Sequence, residues 1–209
     1  MSFQAYEKYN PRPLNQSLNL RELRQKLRIA RQSLSPPERE KKSFLVHQHL
    51  SGYLPFRRAK SLAAYWATNE EVATAAPIEH ANYLGKSIYL PVVNTARWRS
   101  ERMYFQRYIP RKTLLIPNRF GIPEPEHRPG TPIRSNNLDL ILVPLVGFNQ
   151  SCDRIGMGGG YYDHALSGPR LRKTKFVGLA FTCQKAEFEP MPHDIRLDAI
   201  VTEDGIIGC

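Results

Sequence analysis

Leu138-Asp139-Leu140-Ile141-Leu142-Val143-Pro144-Leu145-Val146, followed by Arg154-Ile155-Gly156-Met157-Gly158-Gly159-Gly160-Tyr161-Tyr162-Asp163, is the passage that decides the fold. The first segment predicts a strand and residues 161–166 predict a short helix, with four glycines in five residues ahead of the helix. Glycine has no Cβ, so successive backbone N–H groups can turn inward on one anion, and the following helix adds its positive dipole end. Arg154 sets a permanent cation at the mouth of this cradle, and Asp163 offers a hard oxygen to a divalent cation. A turn that only reverses the chain could use the same glycines, but the flanking Arg and Asp argue against it. The loop is not a P-loop, because Gly85-Lys86-Ser87 is the sole Gly-Lys-Ser and His80 occupies the place of its first glycine. Nor is it a dinucleotide fingerprint, since the third glycine of G-x-G-x-x-G is missing.

Working outward, apolar runs predict strands over residues 61–66, 87–93, 103–109, 138–146, 175–181 and 199–202, with helices over 74–84 and 161–166. That alternation predicts an α/β fold, a single three-layer domain with a mostly parallel sheet and helices on both faces, Rossmann-like in plan. Ligands of such sheets gather beyond the carboxyl ends of the strands, which is where the glycine loop falls. Glu71 follows the strand ending at Trp66 and could reach the same edge, or could simply face solvent.

Residues 1–18 carry Pro11 and Pro13 without periodicity and read as a flexible arm, leaving 19–209 as the one catalytic-sized domain. Asn19 is the expected cap of a helix whose Leu20, Leu23, Leu27 and Ala30 form an apolar stripe, with Arg21, Arg24, Arg28 and Arg31 on a basic face. Ser35-Pro36-Pro37-Glu38 is a second helix start, with Ser as cap, Pro at the first position and Glu closing a capping box. Phe44, Leu45 and Leu50 are its expected buried side, and Gly52 its end. The proline-rich segment 117–132 predicts an ordered crossing loop.

The chain has 209 residues, 41% of them hydrophobic, and a net charge of +11, a bias toward nucleic acid, nucleotides or polycarboxylates. Arg97-Trp98-Arg99-Ser100-Glu101-Arg102, with Tyr104, Phe105, Arg107 and Tyr108 following, interleaves cations and aromatics as an RNA surface can, or as a solvated hairpin does. Cys152, Cys183 and Cys209 are odd in number and widely spaced, and are expected to be reduced thiols. No apolar run approaches the roughly 18 residues a bilayer span demands, and no signal-peptide core precedes residue 18, so a soluble cytoplasmic protein is expected.

Several pieces read together resemble the 5-formyltetrahydrofolate cyclo-ligase, or methenyltetrahydrofolate synthetase, family. They are residues 20–24, Glu71-Val72-Ala73-Thr74, Gly85-Lys86 leading to Leu90-Pro91, Phe120-Gly121-Ile122-Pro123-Glu124-Pro125, the run 139–163, and Pro192-His193-Asp194 before Ala199-Ile200-Val201-Thr202. The resemblance implies a fold of the isomerase/CoA-transferase type. It implies a reaction in which ATP and Mg²⁺ drive 5-formyltetrahydrofolate to 5,10-methenyltetrahydrofolate, ADP and phosphate. It also implies small-molecule partners, with reduced folate as substrate, possible polyglutamylation, no membrane, and nucleic acid only as the alternative reading. A diverged paralogue acting on another formamide is the other alternative.

Carried over by position, Arg21, Arg24, Arg154, Ile155, Gly156, Met157, Gly158, Gly159, Gly160, Tyr161 and Tyr162 are the expected ATP-binding residues. Trp66, Glu71 and the loop from Met157 to Tyr161 are the expected folate contacts, with Phe120 and Met103 as further apolar wall. Asp163 and Asp194 match magnesium ligands, Arg154 and Tyr161 the catalytic positions, and His193 reads as a loop histidine beside Asp194. Leu20 stands where the family carries a lysine, Asn149 where it often has Asp, Cys152 where it often has Gly, and His164 where a basic residue is usual.

Overall fold

A computed structural model describes residues 14–93, 103–126, 133–167, 174–191 and 194–209. Its helices are α1 (Leu14–Gln32), α2 (Pro36–Gly52), α3 (Leu54–Arg58), α4 (Ala75–Tyr83) and α5 (Tyr161–Leu166). Its strands are β1 (Ser61–Ala63), β2 (Ser87–Val93), β3 (Met103–Tyr108), β4 (Leu115–Pro117), β5 (Pro123–Pro125), β6 (Leu140–Val143), β7 (Gly147–Phe148), β8 (Arg154–Ile155), β9 (Lys175–Leu179), β10 (Ala199–Thr202) and β11 (Gly205–Gly208). Seven of them form one sheet in the order β11-β10-β9-β6-β1-β2-β3, parallel from β10 to β2 and antiparallel at both edges. The α/β reading with a mostly parallel sheet is therefore borne out.

Side chains alternate across this sheet and build a core on each face. Leu62, Leu140, Leu142, Val177, Leu179 and Val201 pack with Val46 and Leu50 of α2 and Ile78 of α4. Ala63, Ile141, Val143, Phe176 and Ile200 pack with Leu166 of α5 on the other face. Asp139 fixes the start of the central strands, its Oδ2 accepting from Lys60 N, Ser61 N and Ser61 Oγ, each at 2.9 Å. Burial raises its pKa, but these bonds from Ser61 and Lys60 outweigh it and hold the carboxyl below its ordinary value. A depressed carboxylate contributes stability above its unfolded pKa near ~3.9 and loses it as pH falls through the folded value. Asp139→Ala is expected to cost about 1–2 kcal/mol near neutral pH in denaturant unfolding, and less in acid.

Local signals and long-range contacts part company at several places. The Ser35 capping box forms as expected, with Glu38 N bonding Ser35 Oγ and Ser35 N bonding the Glu38 carboxylate. α1, however, begins at Leu14, so Asn19 lies inside the helix instead of capping it. Leu20, Leu23 and Leu27 do pack as a stripe, against Val146 and Ile155. Arg31 does not join the wet basic face: it is 2% exposed and pairs with Glu70 at 3.2 Å. On α2 the buried residues are Ser43, Val46 and Leu50, whereas Phe44 is 57% exposed. Lys42 to Glu203 and His49 to the Thr202 carbonyl dock α2 over β10 and set that rotation.

The described part of the segment expected as a crossing loop forms instead the ribbon β4–β5, where prolines suit short strands outside the main sheet, and residues 127–132 lie outside the described residues. Cys152 and Cys209 are joined as a disulfide across 57 residues, correcting the expectation of reduced thiols, while Cys183 is free. Neither sequence spacing nor local pattern could bring β11 beside Cys152. Tyr104, Phe105 and Tyr108 are buried in β3, which removes them from any base-stacking surface, and residues 97–102 of that cluster lie outside the described residues. No described helix is long and apolar enough to cross a membrane.

Candidate active site

Strand β6 does not run directly into the glycine loop. The chain first forms the ribbon β7–β8, pairing Phe148 with Arg154, closed by a turn in which Asn149 Oδ1 accepts from Ser151 N and Asp153 N. Cys152 in that turn has φ of 60°, the left-handed region where glycine is at ease. The ribbon carries Arg154 into the interior, where it is 4% exposed and ion-paired with Asp163 on α5. Arg154 Nε is buried without a hydrogen-bond partner among the described residues, an uncommon state for a buried polar atom.

Gly158 and Gly160 take φ values of 94° and 66°, and a Cβ on Gly159 would sit 3.0 Å from the Tyr161 ring. The backbone N–H groups from Met157 to Gly160 donate to no described residue. Four donors without a described partner beside a buried guanidinium have the chemistry that an anion would require. α5 is only six residues long, so its dipole adds little and the cations carry the charge.

α1 closes one side of the loop. Arg24 Nε donates to the Gly156 carbonyl at 3.0 Å, and a cavity of about 530 Å³ is lined by Arg21, Arg24, Arg28 and Gln32 of α1 with Val146 and Met157. Arg21 and Arg24 are thus brought to the loop. Arg28 was read only as part of a basic face, and its helical spacing from Arg24 is the signal that could have added it.

A second cavity, of about 850 Å³, opens beyond the carboxyl end of β1, and both Trp66 and Glu71 line it. Trp66 meets the Tyr108 ring edge-on at 6.2 Å. Glu71 Oε2 accepts from Thr68 N at 2.9 Å and Thr68 Oγ1 at 3.1 Å, while Oε1 accepts from no described residue. The neighbouring Glu70 bonds Arg31 and Gln32, so one short turn joins the two cavities. Burial pushes the Tyr162 phenol up, and the Glu71 charge pushes it further, with Arg154 opposing. Tyr65 rises for the same two leading reasons. Phe44 and Arg39 of α2 also line this cavity and were missed. Phe44 lies one position off the buried phase of α2, a phase that no local pattern settles.

Phe120 stands beside Tyr161, their rings 5.8 Å apart and edge-on. Met103 does not join it; it is buried in the core with Phe105 and Leu138 and forms no wall. Ile195 N reaches Asp163 Oδ1 at 3.4 Å, which brings the segment holding Asp194 onto α5. Asp194 Oδ2 accepts from Met191 N at 2.8 Å. Asp163 Oδ2 and Asp194 Oδ1 accept from no described residue, leaving two hard oxygens for a cation. No group of three or more His, Cys, Asp or Glu with metal-binding geometry exists among the described residues, so other oxygens would have to complete a shell. His193 lies outside the described residues.

A model of the 5-formyltetrahydrofolate cyclo-ligase family matches residues 16–203. The 5-formyltetrahydrofolate cyclo-ligase of Haemophilus influenzae is 33% identical over 172 residues, covering 82% of this chain and 90% of the relative. The enzyme of the same name from Escherichia coli (strain K12) is 32% identical over 177 residues, covering 84% and 96%. Among solved structures, the 5,10-methenyltetrahydrofolate synthetase of Aquifex aeolicus superposes with a TM-score of 0.74 at 30% identity, covering 90% of this chain and 92% of its own.

Proposed function

Because the chain belongs to the 5-formyltetrahydrofolate cyclo-ligase family, we propose that it is an ATP-dependent C–N ligase converting 5-formyltetrahydrofolate to 5,10-methenyltetrahydrofolate, with ADP and phosphate released. The chemical problem is a formamide oxygen, a very poor leaving group. Transfer of the γ-phosphoryl group forms an O–P bond at that oxygen and breaks the bond to the β-phosphate, giving ADP and an imidate-like phosphate. The 10-nitrogen then attacks the formyl carbon, and the C–O bond breaks to release inorganic phosphate. The protein mainly positions two substrates and neutralises phosphate charge.

One observation carries this reading: Met157 of the glycine loop lines an arginine-lined cavity, and the turn that bonds α1 through Glu70 carries Glu71 into a second cavity, which Trp66 also lines. Arg21, Arg24 and Arg154 with the loop N–H groups hold the triphosphate, and Tyr161 lies where the transferring group meets the folate. Glu71 bonds the N–H edge of the pterin and Trp66 covers a ring. Asp163 and Asp194 are the residues that would hold Mg²⁺, which supplies charge neutralisation at the phosphates. Residues 19–209 act as one catalytic domain in the cytoplasm.

The test mixes the protein with Mg-ATP and 5-formyltetrahydrofolate. The methenyl absorbance band should rise with one ADP formed per product. Folded protein that yields neither overturns the assignment. Arg24→Ala is expected to raise the KM for ATP about tenfold, the loss of one charged donor, with the folate KM unchanged. Steady-state kinetics varying each substrate in turn separates the two.

A further inference from the structure

The ribbon β4–β5 ends in a turn built with unusual care for so exposed a place. Asn118 Oδ1 accepts from Phe120 N at 2.9 Å and Ile122 N at 3.1 Å, while Asn118 N donates to the Ile122 carbonyl at 2.9 Å. Asn118 Nδ2 donates to Glu124, a buried carboxylate that also accepts from Val93 N of β2 at 3.0 Å. The turn is thereby tied to the central sheet and held rigid. What it presents is Arg119 and Phe120. The Arg119 guanidinium lies 4.8 Å from the Phe120 ring centroid and 5.6 Å from that of Tyr161, and it has no ion-pair partner among the described residues. Phe120 is 55% exposed. An unpaired cation fixed on two aromatic faces at the end of the cradle is poised for an anion attached to a flat ring.

We propose that Arg119 is a specificity-determining residue that grips the carboxylates of the folate's glutamate tail, with Phe120 and Tyr161 flanking the aryl group that carries them. The inference rests on the cyclo-ligase reading. The alternative anion, the nucleotide's phosphate chain, is already met by Arg21, Arg24 and Arg28 around the other cavity and by Arg154. Arg119 belongs to the aromatic side of the loop, where the substrate offers an arene next to carboxylates.

The test compares wild type, Arg119→Ala and Arg119→Lys on 5-formyltetrahydrofolate and on the same compound with both tail carboxylates converted to amides. Wild type should favour the acid over the diamide about tenfold in KM, and Arg119→Ala should raise the KM for the acid about tenfold while leaving the diamide KM, the ATP KM and kcat within about twofold. Arg119→Lys should recover part of the loss, because the charge remains while the stacked fork is gone. Unchanged melting of Arg119→Ala excludes loss of fold, and a collapsed variant shifts the decision to Arg119→Lys. A rise in the ATP KM, or an Arg119→Ala variant indistinguishable from wild type, overturns the proposal. Should wild type turn over no folate at all, the catalytic reading fails by itself. Fluorescence titration with the acid and the diamide then decides the grip, equal binding by wild type and Arg119→Ala counting against it.

Discussion

Replacing Arg154 with alanine is expected to lower kcat/KM for ATP by about a thousandfold, the largest single effect in the site. Three features compound there. The guanidinium is buried, so its field is little screened by water and acts strongly on a phosphate brought alongside. Its Nε has no hydrogen-bond partner among the described residues, which leaves a donor for an arriving oxygen. It also pairs with Asp163, so its loss frees a carboxylate beside the cradle and adds repulsion where attraction is needed. The Asp163 side chain keeps 24% of its exposure and can be hydrated, so the fold should survive with a modest drop in melting temperature. Arg154→Lys should recover only a fraction, because an ammonium cannot hold Asp163 and a phosphate oxygen with one planar fork. Initial rates across an ATP series, with a melt on each variant, check this. A loss below about fivefold in a folded protein would show that the cradle works without its cation.

Glu71→Gln is expected to raise the KM for 5-formyltetrahydrofolate about a hundredfold and to leave the ATP KM nearly unchanged. The carboxylate is held from behind by Thr68, which leaves Oε1 for a ligand. Glutamine can keep the Thr68 bonds through its carbonyl, so the turn should stay in place. Its amide nitrogen then faces the cavity and donates where an acceptor is required. That mismatch leaves two donors opposed, which costs more than an absent bond. The arginine-lined cavity, which Glu71 does not line, should not sense the change. If both substrates lose apparent affinity equally, Glu71 acts on the turn between the cavities and not on the pterin.

Much of the site was legible because it is built from residues with strong local requirements. Gly158 and Gly160 need positive φ, and a run of four glycines in five residues announces that need in the chain itself. Arg154, Tyr161, Tyr162 and Asp163 sit within or next to that loop, so finding the loop finds them. Trp66 and Glu71 were reachable as the residues just past a strand. Phe44 and Arg39 were not, because each enters its cavity through the rotation of α2 about its axis. That rotation is set by partners distant in sequence, such as Glu203 for Lys42 of α2.

The sequence by itself determined the strands from β1 to β10 that carry the parallel sheet, the Ser35 capping box and the glycine cradle. These follow from hydrophobic period, side-chain capping and backbone freedom within a few residues. Only the tertiary structure decided that Arg31 is buried on Glu70, that Cys152 meets Cys209 and that Arg119 rests on Tyr161. Each of those joins groups far apart along the chain. Their energies depend on desolvation and mutual geometry, quantities that no stretch of residues possesses until the whole has packed.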